Sequence, residues 1–301
     1  MTATTAPTAP TASTASTAST ASTAPPDPRS RLAFVGGGRM AGALIGGLIR
    51  RGFPAARISV ADPSAAALEE LAGAFAVRTF ADNAAAVAGA DTVVLAVKPQ
   101  HLRAAAAALA PLLTGGAASL VISIAAGISH GSLRRWCGEG VPIVRTMPNQ
   151  PALAGCGVTG LYAPAEVQAA TRARAEAIMA AVGATVWVDD EAQMDVVTAL
   201  SGSGPAYFFR FMELLESAAR ERGLPAAAAH TLTLETAYGA AQLARASNAT
   251  LDSLRERVTS PGGTTAAALA VFDAGGLERL VTSALEAALQ RAAELGREYG
   301  S

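Results

Sequence analysis

Apolar positions fall into two regimes along the chain. From Arg31 to about Asp190, short apolar runs of strand length alternate with segments of helical period; beyond that only the helical period continues. The runs predict strands at Leu32–Val35, Arg57–Ala61, Ala76–Arg78, Thr92–Val97, Leu120–Ile124, Ile143–Thr146, Cys156–Tyr162 and Thr185–Val188. Helical segments fall between them, at Arg39–Arg51, Ser64–Ala74, Asp82–Ala88, Leu102–Leu113, Ser129–Trp136 and Pro164–Val182. Such alternation predicts an α/β fold, a Rossmann-type doubly wound parallel sheet. Its crossovers put the loops after strands one, two, four and five along one edge.

The second regime predicts helices at Ala192–Leu200, Pro205–Arg222, Pro225–Ala246, Leu251–Val258, Thr264–Phe272 and Leu277–Tyr299. Ser203 followed by Pro205 reads as a helix start. Leu232, Thr236, Gly239, Ala240 and Leu243 form a stripe of small and apolar residues, which suits either an internal core or a subunit interface. An all-helical half with long apolar faces favours a dimer, and this half is expected to be a dimerisation domain. The chain thus divides into a low-complexity tail (1–28), a dinucleotide-binding domain (29–190) and a helical dimerisation and substrate domain (191–301).

Composition narrows the function. The tail repeats Thr-Ala-Ser from Thr11 to Ser22 and is expected to be either disordered or the product of an over-called start codon. It has neither the basic nor the apolar segment of a targeting leader, so a cytoplasmic location is expected. A net charge of −1 gives no electrostatic case for nucleic acid, and no apolar stretch is long enough for a membrane helix. Cys137 and Cys156 form no disulfide framework, and His101, His130 and His230 are scattered, so no metal is expected. Lys98 is the only lysine in the chain.

The candidate chemistry begins at Gly36-Gly37-Gly38-Arg39-Met40-Ala41. Strand, glycine turn and helix in this order form a dinucleotide-binding arrangement, with a pyrophosphate at the helix N-terminus. Asp62, at the end of strand two, either bonds a ribose and so leans the chain to NAD over NADP, or serves as an Asp-Pro turn residue. Lys98, in Val97-Lys98-Pro99-Gln100, either faces the nucleotide or is a surface lysine. Asn83 lies in a loop on the adenine side. Small residues at Ser123-Ile124-Ala125-Ala126-Gly127 leave room for a flat ring. Ser260-Pro261-Gly262-Gly263-Thr264-Thr265 precedes a helix. It offers a carboxylate-sized cradle of N–H groups, or else a plain capping loop.

Together these pieces resemble pyrroline-5-carboxylate reductase, from Leu32 to the C-terminus. The resemblance rests on Gly36–Ala41, Ala96–Gln100, Ser123–Gly127, Val144–Ala152, Ala199–Tyr207 and Val258–Thr265. It implies reduction of 1-pyrroline-5-carboxylate to L-proline with NADPH or NADH, the last step of proline biosynthesis. It also implies a Rossmann domain followed by a helical domain that dimerises, with further assembly to a decamer. Val35, Gly36, Gly37, Gly38, Arg39, Met40, Asn83, Ala96, Val97, Lys98, Pro99, Ile124, Ala125 and Ala126 would touch the cofactor. Ser260, Gly263, Thr264 and Thr265 would hold the substrate in a site shared between two subunits. Thr265, the catalytic candidate, would hydrogen-bond the ring nitrogen. One departure is Asn149-Gln150-Pro151, where the family usually reads Asn-Thr-Pro. Asp62 also departs from the Asn, Ser or Thr of many members, which leaves cofactor preference open. Two rival readings are another small-molecule dehydrogenase on this fold and a catalytically idle nucleotide-binding protein.

Overall fold

The computed structural model describes residues 25–300. The repeats of the expected tail lie outside the described residues. Its last residues form a turn, in which Ser30 N–H bonds the Asp27 carbonyl and Pro26 is buried.

Eight strands make one sheet: β1 (Leu32–Val35), β2 (Ile58–Ala61), β3 (Arg78–Phe80), β4 (Thr92–Leu95), β5 (Leu120–Ser123), β6 (Ile143–Met147), β7 (Gly157–Tyr162) and β8 (Gly183–Trp187). Their order is β3-β2-β1-β4-β5-β6-β7-β8. Pairing is parallel from β3 to β6; β7 then runs antiparallel to β6, and β8 parallel to β7. The sheet is therefore mostly parallel. The all-parallel expectation fails at β7 because a short 3₁₀ segment, Gln150–Ala154, folds the chain straight back beside β6 with no crossover helix.

Helices cover both faces: α1 (Arg39–Arg50), α2 (Ala65–Phe75), α3 (Asn83–Val87), α4 (Pro99–Leu112), α5 (His130–Cys137) and α6 (Ala169–Met179). Strands β1, β2, β4 and β5 are buried at every position. They separate two cores, one around Phe34, Leu44, Ile58 and Ile122, the other around Val35, Leu95, Leu102 and Ile128. Several boundaries differ from expectation: α6 begins at Ala169 rather than Pro164, β4 stops at Leu95 rather than Val97, and two further differences have a clear local cause. Ala76 is not strand: it closes α2 in the left-handed conformation (φ 54°), its N–H on the Ala72 carbonyl, so β3 begins only at Arg78. Helix α4 starts at Pro99 rather than Leu102, because a proline in the first turn has no N–H to leave unpaired.

Beyond the sheet come α7 (Gln193–Val197), a π-helical turn at Thr198–Gly202, α8 (Gly204–Glu221), α9 (Ala226–Ala246), α10 (Leu251–Arg257), α11 (Thr264–Ala274) and α12 (Leu277–Tyr299). The expected helix start holds: Ser203 sits at the cap position of α8 and Pro205 in its first turn, although the Ser203 side chain bonds no backbone amide, since the π turn feeds directly into α8. Helices α8 to α12 bury only Gly204, Ala229 and Ala292. Phe208 is 72% exposed, and Phe209, Leu232, Tyr238, Leu243 and Leu280 are exposed with it. A groove of about 1220 Å³ between α8 and α9 is lined almost wholly by such side chains. So much apolar surface on one protomer is a partner-shaped surface, and the α9 stripe belongs to it.

Candidate active site

The glycine turn is shaped by what touches it. Gly36 has φ 102°, and a Cβ there would lie 2.7 Å from the Ala96 carbonyl oxygen. Only glycine lets β1 turn this close to the end of β4. The Gly36 N–H bonds the Ala61 carbonyl at 2.8 Å, tying the turn to β2 as well. Gly38 faces open space, with nothing within 4 Å of a Cβ. It caps α1 with no side-chain bond and no acid in the first turn. The first amides of α1 therefore remain free at a positive dipole end, a fit for a diphosphate. Ala41 is buried where α1 meets the sheet, and Arg39 is exposed at the mouth.

The other cofactor candidates gather on the same edge, at the carboxyl ends of β1 to β5. Asp62 is half-buried; its carboxylate accepts the Gly37 N–H at 2.7 Å and the Ser64 N–H at 2.8 Å. Asp62 serves as the turn residue and also braces the glycine loop. Asn83 begins α3 and is half-buried, with Asp82 as the cap that accepts the Ala85 N–H. Ala96 and Val97 follow β4, and Lys98, exposed, caps α4 ahead of Pro99. Beyond β5, Ile124 N–H bonds the Leu95 carbonyl, Ala125 is buried and Ala126 half-buried.

The helical half is bolted to this edge by groups from Val144–Ala152 and Ala199–Tyr207, to which the sequence reading gave no role, and by Glu191 and Asp195, which it did not single out. Arg145 on β6 is 6% exposed and pairs with Glu191 at 2.8 Å and Asp195 at 3.4 Å. The same Glu191 oxygen accepts the His130 N–H at 2.5 Å. Asn149 donates to the Ser201 carbonyl at 3.0 Å and accepts from Val158 N–H at 2.9 Å. Gly202 presses on Met147, where a Cβ would lie 2.5 Å from its terminal methyl. The exit of β6 and the Ser201–Pro205 motif thus form one joint. Gln150, the departure from the family pattern, is exposed beside it. The available signal was a lone arginine in an apolar strand and an acidic run at Asp189–Glu191.

The bend before α11 forms, but of the three amides expected in the cradle only those of Thr264 and Thr265 are free, because the turn itself uses the Gly263 N–H. Gly263 N–H bonds the Ser260 carbonyl at 3.0 Å around Pro261 and Gly262, whose φ of 71° suits a type II turn. Gly263 then caps α11 with no side-chain bond, leaving the Thr264 and Thr265 amides without intrahelical partners. Helix α11 rests on the helical half, with Phe272 against Phe211 of α8 at 6.0 Å between ring centroids. Among the described residues, no hydrogen bond, ion pair or ring contact joins Thr259–Thr265 to the glycine turn or to Ile124–Ala126 of the same protomer.

Among the described residues no group of three His, Cys, Asp or Glu could hold a metal, and no helix is long and apolar enough to cross a membrane. Cys137 is a core thiol whose pKa is pushed up to about 11 by burial. Cys156 is exposed and unbridged.

Known proteins share these features. Residues 191–295 match a family model described as pyrroline-5-carboxylate reductase dimerisation, and residues 31–127 one described as NADP oxidoreductase coenzyme F420-dependent. A pyrroline-5-carboxylate reductase of Pseudomonas aeruginosa is 52% identical over 270 residues, covering 90% of this chain and 98% of the relative. That of Haemophilus influenzae is 43% identical over 88% and 97%. The solved reductase of Coxiella burnetii superposes with a TM-score of 0.84 at 42% identity, over 88% of this chain and 98% of that one. The Plasmodium falciparum enzyme, with NADP bound, gives 0.78 at 28% identity over 89% and 98%. A glycine turn, a β6 joint, an apolar helical half and a Ser-Pro-Gly-Gly-Thr-Thr cradle in this order, together with likeness over nearly the whole length of these relatives, make the chain a member of the pyrroline-5-carboxylate reductase family.

Proposed function

We propose that this protein reduces 1-pyrroline-5-carboxylate to L-proline, the last step of proline biosynthesis. The observation that carries this is 52% identity to a reductase of that name across 98% of its length. When bound, NAD(P)H supplies the hydride. The chain's own residues bind, orient and exclude water. Val35 to Met40 hold the diphosphate, Asp62 and Asn83 the adenosine end, and Ala96 to Pro99 with Ile124 to Ala126 the nicotinamide end. The cradle amides of Thr264 and Thr265 hold the substrate carboxylate, helped by Ser260, while Gly263, whose own N–H closes the turn, lets the substrate approach the backbone. The Thr265 hydroxyl bonds the ring nitrogen.

The imine carbon accepts the hydride while the π pair of the C=N bond stays on nitrogen, which carries the proton. A protonated imine is already electrophilic, so placement is what the protein contributes. A threonine hydroxyl is too weak an acid to give up its proton freely, so Thr265 orients the imine and passes on a proton from water.

Among the described residues no hydrogen bond, ion pair or ring contact joins the cradle to the glycine turn within one protomer, and the helical half exposes an apolar face. Both features support a homodimer in which one subunit's cradle closes on its partner's nucleotide edge. Assembly of dimers into a decamer and a cytoplasmic location complete the reading, as does the division into 1–28, 29–190 and 191–301.

The test follows NADH and NADPH oxidation spectrophotometrically, with and without pyrroline-5-carboxylate. Substrate-dependent oxidation that yields proline is expected. Cofactor binding without turnover would overturn the reading in favour of an idle nucleotide-binding protein.

A further inference from the structure

The loop from Ile124 to Ser129 lies between β5 and α5. It is gripped at two points by residues from the helical half of the same chain. At the first, Gly127 (φ 77°) lies against Gly296 of α12. A Cβ on Gly296 would come within 2.8 Å of the Gly127 carbonyl oxygen, and one on Gly127 within 3.2 Å of the Gly296 nitrogen. At the second, Glu191 accepts the His130 N–H at 2.5 Å while paired with buried Arg145. The end of α12 is held down as well. The Gly300 carbonyl accepts from Ser132 Oγ at 2.5 Å and from Arg135 Nη2 at 2.9 Å, both on α5.

Glycine in a helix is unfavourable relative to alanine. At Gly296 the absence of a side chain permits the backbone-to-backbone approach to Gly127. From this geometry we infer that Gly296 is a positioning residue for hydride transfer. Through Gly127 it sets where Ile124–Ala126 stand, and so where the nicotinamide lies. The inference rests on the proposed placement of the nicotinamide at that loop. Any added side chain at 296 meets backbone rather than a flexible side-chain end, so the loop or the helix must move. The diphosphate turn and the cradle are left untouched, so the effect falls on the chemical step. A misplacement of about 1 Å in such a step costs on the order of a hundredfold.

The test is Gly296→Ala, with Gly73→Ala as control; Gly73 is an exposed helical glycine with nothing within 4 Å of a Cβ. In the cofactor-free protein, amide hydrogen exchange across Ala125–His130 is expected to rise in Gly296→Ala and not in the control. Single-turnover hydride transfer falls about tenfold or more, while the dissociation constant for NADPH changes less than about threefold. Unchanged exchange together with an unchanged single-turnover rate overturns the inference. If Gly296→Ala does not fold, the double variant Ser132→Ala/Arg135→Ala releases Gly300 without adding volume. It must raise the same exchange, and failure to do so overturns the inference equally. Ala126→Leu separates the two readings. If it leaves turnover intact, the nicotinamide placement itself is wrong. If it abolishes turnover while Gly296→Ala does not, only the role of Gly296 falls.

Discussion

The Asp62 carboxylate reaches back across the sheet edge to the Gly37 amide, 2.7 Å away, and so joins the end of β2 to the glycine turn of β1. Its other oxygen is engaged by Ser64 N–H at 2.8 Å. On the proposed placement of the cofactor this carboxylate stands beside the adenosine ribose, where it would meet a 2′-phosphate. No ion pair is found for the Asp62 carboxylate among the described residues, and the Arg78 guanidinium lies over the Phe80 ring, 5.2 Å from its centroid. Replacing Asp62 by Ser should therefore raise the ratio of kcat/KM for NADPH over NADH by about tenfold, through removal of like-charge repulsion. Steady-state assays with each cofactor measure it, and a ratio that stays constant or falls would remove Asp62 from cofactor selection.

Gly36 and Gly38 separate conformational need from ligand space. Gly36→Ala places a Cβ 2.7 Å from the Ala96 carbonyl oxygen at φ 102°, so it strains the protein with or without cofactor. A loss of about 2 kcal/mol or more is expected, read as a lower denaturation midpoint. Gly38→Ala meets nothing within 4 Å and should leave the midpoint unchanged. It should still weaken NADPH binding at least about tenfold, because the new methyl occupies space at the free amides of α1. Denaturation midpoints check the stability effects and fluorescence titration of NADPH the binding, and full affinity in Gly38→Ala would contradict a diphosphate at this turn.

Much of this was legible because local chemistry dictated it. The glycine turn, the small residues after β5 and the Pro-Gly-Gly bend each need particular residues for backbone reasons that survive in any context. Most strand positions followed from buried apolar runs. The reversal at β7 was not legible, because an apolar run states burial and not direction. Ala76 misled because its left-handed cap conformation is rare for alanine. The roles of Glu191 and Gly296 were hidden for another reason. Each acts on a residue 61 or 169 positions away, His130 and Gly127, and periodicity carries no information at that range. The apolar faces of α8 and α9 were visible, but a stripe reads alike whether its partner is the same chain or a second copy.

The imidazole of His130 gives the stability a pH dependence. Burial pushes its pKa below the ordinary 6.5, opposed by the carboxylates of Glu191 and Glu166 and reinforced by Arg134. The ring packs edge-on to Tyr162 at 6.2 Å. With the folded-state pKa depressed, the unfolded chain binds more protons as pH drops through 6.5, so protonation favours unfolding. The neutral ring's contribution is complete above pH 6.5 and is lost as pH falls toward the folded-state pKa. Urea midpoints taken between about pH 7.5 and 5.5 should decline on the acid side. His130→Gln should flatten that decline, and an equal slope in the variant would assign the acid sensitivity elsewhere.

Thr265 stands in the first turn of α11, half-buried, with its backbone amide lacking an intrahelical partner. Its side chain is not the cap of that helix, since Gly263 is. Removing the hydroxyl should therefore cost the fold little, within about 0.5 kcal/mol. If the hydroxyl bonds the ring nitrogen and relays a proton, Thr265→Ala should lower kcat by about a hundredfold, in the range of one lost general acid–base contact. Binding of the carboxylate by the cradle amides persists, so KM for the substrate should change far less than kcat. Thr265→Ser restores the hydroxyl without the methyl and should recover most of the turnover. An alanine variant with wild-type kcat would leave backbone placement alone as the source of catalysis. An alanine variant whose KM rises while kcat holds would recast Thr265 as a binding group for the carboxylate.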